Sequence, residues 1–417
     1  MNLSQAYAAK SSHHWGGREA PGRGIFVGSI RRSVGSTLLY MVMLEASVFG
    51  SGRILEIGPF TIKMVLFSLT LVYAMWGLLS LERVRFSTWL ITISFVCLLF
   101  LGTANGLVNS ADPQLVAGDI SPLLSFLALP FFELTIRTKR EISALIRIFI
   151  SAALVMALVY IAVIGALLLR VVSFQTLYQW VTANGGDDFV FEGETGRVFY
   201  KGVIFICIAI ILLIFQNNRR SKVLAALLLV ALFVIGSRGL FSALALCALL
   251  YALIGPMSAL KKVVVTGVVV LITSISLPVL FSMAGDKTES NTIRLTTISQ
   301  VMESTTPASL LIGHGFGIGV PERPAHMEIS YLEIFQKQGA VGLLWWATLF
   351  AIMAYRLRKA LALGNKSLAY GLFLSSAFIA FESATNPFLN NPIGMYPFIF
   401  ALVGLGILGD PLRVESA

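Results

Sequence analysis

The chain is short of charge. Of its 417 residues only 12% are Asp, Glu, Lys or Arg, against roughly 25% in soluble domains. With 57% hydrophobic residues and a strongly positive mean hydropathy, the deficit excludes an ordinary water-soluble globule and places most of the chain in lipid. Cysteine is scarce as well. Cys97, Cys207 and Cys247 all sit in apolar runs, where they read as small core hydrophobes with neither a disulfide framework nor metal-ligand spacing. There are four histidines and no HxxH or HxxxH pair, so no metal and no cofactor is expected. Asp187 and Asp188 are adjacent, unlike the spaced carboxylates of nucleotide-sugar enzymes. No Gly-x-Ser-x-Gly elbow supports a serine hydrolase. Internal repeats and low-complexity tracts are also missing.

What is present is a series of apolar runs, at residues 34–49, 59–80, 87–107, 120–135, 143–168, 199–216, 223–236, 240–256, 263–283, 339–355, 368–384 and 395–409. A bilayer core takes about 20 mostly apolar residues per helix. The expectation is an all-α, polytopic membrane protein of about twelve transmembrane helices, forming one membrane domain over residues 34–409. Residues 1–33 are polar, basic and Gly-rich. They lack the apolar stretch of about 7–15 residues that a cleavable signal needs, and read as a cytoplasmic tail, as do residues 410–417.

The formal net charge of +10 would suit a nucleic acid, but its placement has a simpler cause. With the N-terminus inside, every inner connection carries at least two basic residues: Arg83 and Arg85; Arg137, Lys139 and Arg140; Arg219, Arg220 and Lys222; Lys261 and Lys262; Arg356, Arg358, Lys359 and Lys366. The outer connections 108–119 and 385–394 have none. This is the charge bias of a multi-pass protein of a cytoplasmic membrane, so no nucleic-acid partner is expected. The same polarity makes residues 169–198 and 284–328 long outer loops, and loops beyond about 12–15 residues are usually functional or disordered.

A few cations remain at the outer ends: Arg53, Arg170, Arg197, Arg238, Lys287, Arg294, Arg323 and Lys337. Lys201 follows Arg197 by four residues, and a helix beginning near Arg197 would put both on one face. Arg238 lies between glycines in a tight turn joining two apolar runs. It reads either as an arginine snorkelling to lipid phosphates or as an anion clamp, because the guanidinium fork suits phosphate. Glu45 and Glu382 fall toward outer helix ends, as partners for these arginines or as ordinary buried hydrogen-bonders.

The stretch from Asn291 to Leu344 gathers most of the polar chemistry. Gly313, Gly315, Gly317 and Gly319 alternate around His314. A dinucleotide loop needs a strand before it and a helix after it, so the glycines read instead as backbone that packs closely or approaches a ligand, with His314 structural. His326 and Glu328 stand at the entry of a long helix containing Tyr331 and Glu333. Both residues can face one cavity there. The histidine suits general-base chemistry; the bland alternatives are a surface histidine and a helix cap.

The order Gly236-Ser-Arg-Gly239, then Asn291-Thr-Ile-Arg-Leu295, then the 313–319 glycines, then His326, Tyr331-Leu-Glu333 and Gly339-Ala-Val-Gly342 resembles the superfamily of O-antigen polymerases and O-antigen ligases over roughly residues 195–360. The resemblance implies a metal-independent, inverting glycosyltransferase of the GT-C type in a bacterial inner membrane. It implies a glycan on undecaprenyl pyrophosphate as donor, used at the periplasmic face. A polymerase would pass the glycan to the next lipid-linked repeat unit, which then serves as acceptor, often with a separate chain-length-regulating co-polymerase. A ligase would pass it to lipid A-core. Ligases usually follow the histidine directly with Asn and shortly with Tyr-Leu. Here Met327, Glu328, Ile329 and Ser330 intervene, which favours the polymerase. By this resemblance Arg197, Arg238 and Arg294, helped by Lys201, hold the pyrophosphate. His326 or Glu328 handles the acceptor hydroxyl, and Arg323, Tyr331 and His314 support them. The alternative of another class is a lipid-linked oligosaccharide flippase.

Overall fold

The computed structural model describes residues 23–49, 56–57, 60–80, 84–184, 189–192, 197–216, 218–283 and 288–411. Expectations that fell on Arg53, Arg83, Asp187, Asp188 and Lys287 lie outside them. The chain is almost wholly helical. The first half runs α1 (Arg23–Phe49), a small hairpin of β1 (Glu56–Ile57) and β2 (Phe60–Thr61), α2 (Ile62–Leu79), α3 (Phe86–Val108), α4 (Pro113–Leu123), a 3-10 turn (Leu124–Ala128), α5 (Leu129–Thr135) and α6 (Lys139–Leu168). It continues through α7 (Phe174–Asn184), a hairpin of β3 (Phe189–Glu192) and β4 (Arg197–Tyr200), a 3-10 turn (Lys201–Val203), α8 (Ile204–Ile214), α9 (Arg219–Ile235), α10 (Arg238–Ile254) and α11 (Ala259–Met283). Last come α12 (Thr288–Ser304), α13 (Pro307–Ile312), α14 (Ser330–Ala362), α15 (Lys366–Glu382) and α16 (Pro392–Leu408).

Local chemistry sets many starts. Thr61, Asp112 and Asn218 cap α2, α4 and α9 with side-chain oxygens on backbone N–H groups. Thr138 and Glu141 form a reciprocal capping box at α6. These groups satisfy donors that a helix start leaves unpaired. Between α9 and α10 the chain turns on Gly236, in left-handed conformation (φ 69°), so that Arg238 opens α10 directly.

Every residue of α16 is buried, as is α8 from Ile204 to Leu213. A helix apolar all round belongs inside a bundle; here α1, α6, α14 and α15 pack around these two. The outer faces are apolar as well, with Val72, Phe100, Leu158, Leu253 and Leu260 among the exposed residues. That much exposed hydrocarbon fits a lipid surround. The twelve apolar runs lie mostly on helix, but among the described residues six spans, not twelve, are long and apolar enough to cross a membrane: 62–79, 86–108, 113–135, 139–168, 259–276 and 330–362. Helices α10 and α16, and the 201–214 segment, are shorter apolar pieces.

Several expectations change. Helix α1 begins at Arg23, inside the segment read as a tail. The two long outer loops are partly built: α7 and the β3–β4 hairpin occupy the first, α12 and α13 the second. Cys207 and Cys247 are buried, whereas Cys97 is exposed on an outward helix face.

Charge gathers at the two ends of the bundle. At one, Arg85 binds Glu133 (Nε–Oε1 2.6 Å), Arg32 meets Glu141 at 3.3 Å, and Arg356 donates to the Leu402 carbonyl at 2.7 Å. These residues belong to the paired basic connections or to the helix ends beside them. The other end carries the 313–344 stretch.

Candidate functional site

The second polar end begins with a break in α14. Gly339 has φ 63° and ψ −159°, so the helix ladder fails there. The carbonyls of Gln336 and Lys337 accept instead from the backbone N–H groups of His314 (2.8 Å) and Gly315 (3.1 Å). The glycine-rich loop is thus drawn into the bundle. Asn105 of α3 and Asn109, which caps its C-terminal end, donate to the Gly313 and His314 carbonyls at 2.9 and 3.0 Å. Gly315 has φ 96°, and a Cβ there would lie 2.0 Å from the Gly106 nitrogen. Of the two readings of the alternating glycines, close packing is the one realised.

Gly317 donates its N–H to Asp119 Oδ2 at 2.7 Å. Asp119 Oδ1 accepts from Lys337 Nζ at 2.6 Å, and Lys337 also reaches Glu333 Oε1 at 2.5 Å and the Ala325 carbonyl at 2.8 Å. Asn390 donates to Glu333 Oε2 at 2.9 Å. Asp119, Glu333 and Lys337 are all buried. His326 lies above them with its side chain 59% exposed, Nδ1 3.4 Å from Asp119 Oδ1 and 3.6 Å from Glu333 Oε1. The Asp119 carboxylate, then that of Glu333, push the imidazole pKa up to about 9 against the opposing cost of burial. Two carboxylates, one ammonium and one imidazolium sum to zero, the state in which buried charges are tolerable.

Ligand atoms of Asp119, His326 and Glu333 lie within 4.8 Å of one another, close enough for a metal. The Lys337 ammonium already binds both carboxylate oxygens that such an ion would need.

A second network adjoins the first. Glu328 accepts from Arg294 Nε at 2.7 Å and from Arg323 at 2.7 Å, one guanidinium on each oxygen. All three side chains are about a third exposed. With Met327 and Leu332 they line a recess of about 10 Å³, room for roughly one water. Arg294 also lies within electrostatic reach of Glu382, a buried carboxylate bonded to Asn386 at 2.6 Å through one oxygen, the other having no hydrogen-bond partner. A Cβ on Gly239 would meet Glu382 Oε1 at 2.8 Å, so the start of α10, and with it Arg238, stands against this residue.

No family model matches the chain. No curated protein matches it either.

The structure therefore brings Arg294, Arg323, Glu328 and His326 to one end, with Arg238 beside Glu382 next to them. Arg294 and Arg323 share a recess with room for roughly one water, and Arg238 is not among its lining residues. His326 and Glu328 do not share a cavity: one joins the buried charges, the other the arginines. Glu328 is no helix cap, since Ile329 precedes α14 without a side-chain cap bond. Arg197 and Lys201 do not share a helix face, because Arg197 pairs with Glu192 in the β3–β4 hairpin and Lys201 opens a 3-10 turn. The run Val198, Phe199 and Tyr200 is of branched and aromatic residues that favour strand over helix. Tyr331 donates to the Ala380 carbonyl at 2.7 Å and ties α14 to α15. The His314 imidazole is partly buried, which lowers its pKa, and its Nε2 has no hydrogen-bond partner. Asp119 and Asn390 were missed. The available signal was an aspartate inside an apolar stretch, together with Glu333 and Lys337 at helical spacing on an intramembrane helix.

Proposed function

We propose that the protein is a membrane-embedded glycosyltransferase that polymerises glycan repeat units carried on undecaprenyl pyrophosphate, with about twelve spans, a GT-C-type architecture and its working face on the periplasmic side of a bacterial inner membrane. The observation that carries this reading is the Arg294–Glu328–Arg323 network beside a cationic His326, at the bundle end opposite the paired basic connections.

Two guanidiniums held by one partly exposed carboxylate are a resting anion site. An incoming diphosphate offers more charge and more acceptor oxygens than Glu328. It takes over Arg294 and Arg323 and releases the Glu328 carboxylate beside it. The freed carboxylate accepts the proton of the acceptor hydroxyl as that oxygen attacks the anomeric carbon. The anomeric C–O bond to the pyrophosphate breaks with inversion, and the departing charge stays on the arginines. Each such donor is worth roughly 2–4 kcal/mol of barrier. His326, protonated at neutral pH, adds a positive charge in place of acting as the base, and Arg238 takes part from the start of α10. Lys201 and Arg197 have no role in this scheme.

The test is reconstitution of the purified full chain with lipid-linked repeat units and no nucleotide sugar. A ladder of lengthening glycans is expected. Transfer to added lipid A-core without a ladder would replace the polymerase with a ligase. One observation favours a second class: buried ionisable networks such as Asp119–Lys337–Glu333 occur in proton-coupled transporters. Passage of the substrate across the bilayer with no change in glycan length would establish that reading and overturn the enzyme.

A further inference from the structure

We infer that the opposite half of the bundle holds a specific site for one anionic phospholipid. Helix α11 packs along α10, and none of its membrane-window residues is buried. Between α11 and helices α8, α9, α10 and α15 lies a cavity of about 390 Å³, within the roughly 300–1,000 Å³ of small-molecule sites. Ile214 of α8, Leu244 and Ala248 of α10, and Val265, Val269 and Ile272 of α11 are typical of its wall. Apart from Cys247, Tyr251, Thr273 and Ser276 the lining is hydrocarbon. A slot of this kind inside a bilayer takes an aliphatic chain.

The collar and rim of its mouth specify the rest of the ligand. Tyr251 packs edge-on against Phe215 (centroids 4.8 Å apart) and Tyr370 (5.2 Å), an aromatic group of the kind found at a membrane interface. Lys262 lies one helical turn before Val265, so it continues the stripe of α11 that lines the cavity. Lys222 stands two turns before Leu229, the α9 residue on the wall. Lys366 precedes Ser367, which hydrogen-bonds the Phe215 carbonyl. Lys262 spends one N–H on the Leu253 carbonyl at 2.9 Å, and an ammonium has two more. The three connections at this mouth, 215–222, 251–262 and 363–370, contain Arg219, Arg220, Lys222, Lys261, Lys262 and Lys366 and no acidic residue. An apolar slot below an aromatic collar and an all-cationic rim matches an acyl chain below an anionic phosphodiester headgroup. The site needs the chain to sit in a membrane but does not need the glycosyl transfer proposed above.

The experiment titrates the full-length protein in mild detergent with dioleoyl phosphatidylglycerol, dioleoyl phosphatidylcholine or undecaprenyl phosphate, and reads bound lipid by mass spectrometry of the intact complex. One phosphatidylglycerol should be retained at least about tenfold more tightly than phosphatidylcholine, since each lysine near the headgroup contributes roughly fivefold. Ala248→Trp, which fills the slot, should remove the retained lipid. Joint replacement of Lys222, Lys262 and Lys366 by Gln alters only the rim, and should bring the preference between the two headgroups close to one. Equal retention of both phospholipids by the unaltered protein would overturn the site, as would full retention of phosphatidylglycerol by Ala248→Trp. Displacement of phosphatidylglycerol by undecaprenyl phosphate at equal concentration would reassign the slot to the isoprenoid carrier. Glycan elongation is a separate readout and can fail or succeed without changing any of these results.

Discussion

The two polar ends of the bundle hold their cations in different ways. At the basic end Arg85 and Arg356 are tied to Glu133, to a carbonyl and to a hydroxyl, and they close the helix ends against one another. At the other end two networks lie side by side with opposite exposure. Lys337 is 3% exposed and fully surrounded, while Arg294 is 33% exposed and shares its carboxylate with Arg323. Charge alone does not distinguish the two networks. Burial does, because a buried ion pair cannot exchange its partner without exposing a desolvated charge, whereas a partly exposed one can.

The sharpest way to break this comparison is Lys337→Met. It strands two buried carboxylates, and removing one partner of a buried pair typically costs about 3–5 kcal/mol. Thermal unfolding in detergent should show a large loss or no folded protein; a stability like that of the unaltered chain would mean Asp119 and Glu333 are not both ionised. Next comes Arg294→Ala, with the reverse profile. It should slow glycan elongation by roughly 10²–10³-fold while changing stability by no more than about 1 kcal/mol, as expected of a partly exposed pair. Parallel assays of elongation rate and unfolding temperature measure the split.

Gly315→Ala tests the scaffold that positions both networks. It places a side chain at φ 96° against the α3 backbone and should cost about 1–3 kcal/mol, read by the same unfolding assay. A smaller effect concerns His326. Its folded pKa of about 9 stands above the ordinary imidazole value of 6.5. The stabilisation from its charge is therefore complete below about 6.5 and lost as pH rises through about 9. His326→Gln should flatten that part of the stability–pH profile, and elongation in the unaltered protein should decline across the same window. Lys201→Ala sets the baseline, within about 0.5 kcal/mol and with unchanged elongation.

The apolar runs were readable because hydrocarbon in a bilayer leaves a long, unbroken trace in the sequence. Helices α7 and α12 left none. Their polar residues look like loop, and α12 buries little beyond Thr297 and Val301. Arg294 and Arg323 were recognisable as outer cations, yet their shared hold on Glu328 was not, since the Arg294 contact spans 34 positions. Asp119 was further from reach. Its lysine lies 218 residues away, and its second oxygen depends on a loop N–H whose placement only the packed glycines determine. The Arg197–Lys201 pairing failed because four-residue spacing means a shared face only where the backbone is helical.

The interruption at Gly339 has a bearing on how the chain is assembled. A nascent span entering lipid normally arrives with its amide groups already paired within the segment. This one arrives with two carbonyls, on Gln336 and Lys337, that only a neighbouring stretch of chain can cover. That stretch in turn needs the α3 surface at Gly102 and Gly106 before it can settle. Completion of the Gly339 end of α14 thus waits on a docking event that follows insertion.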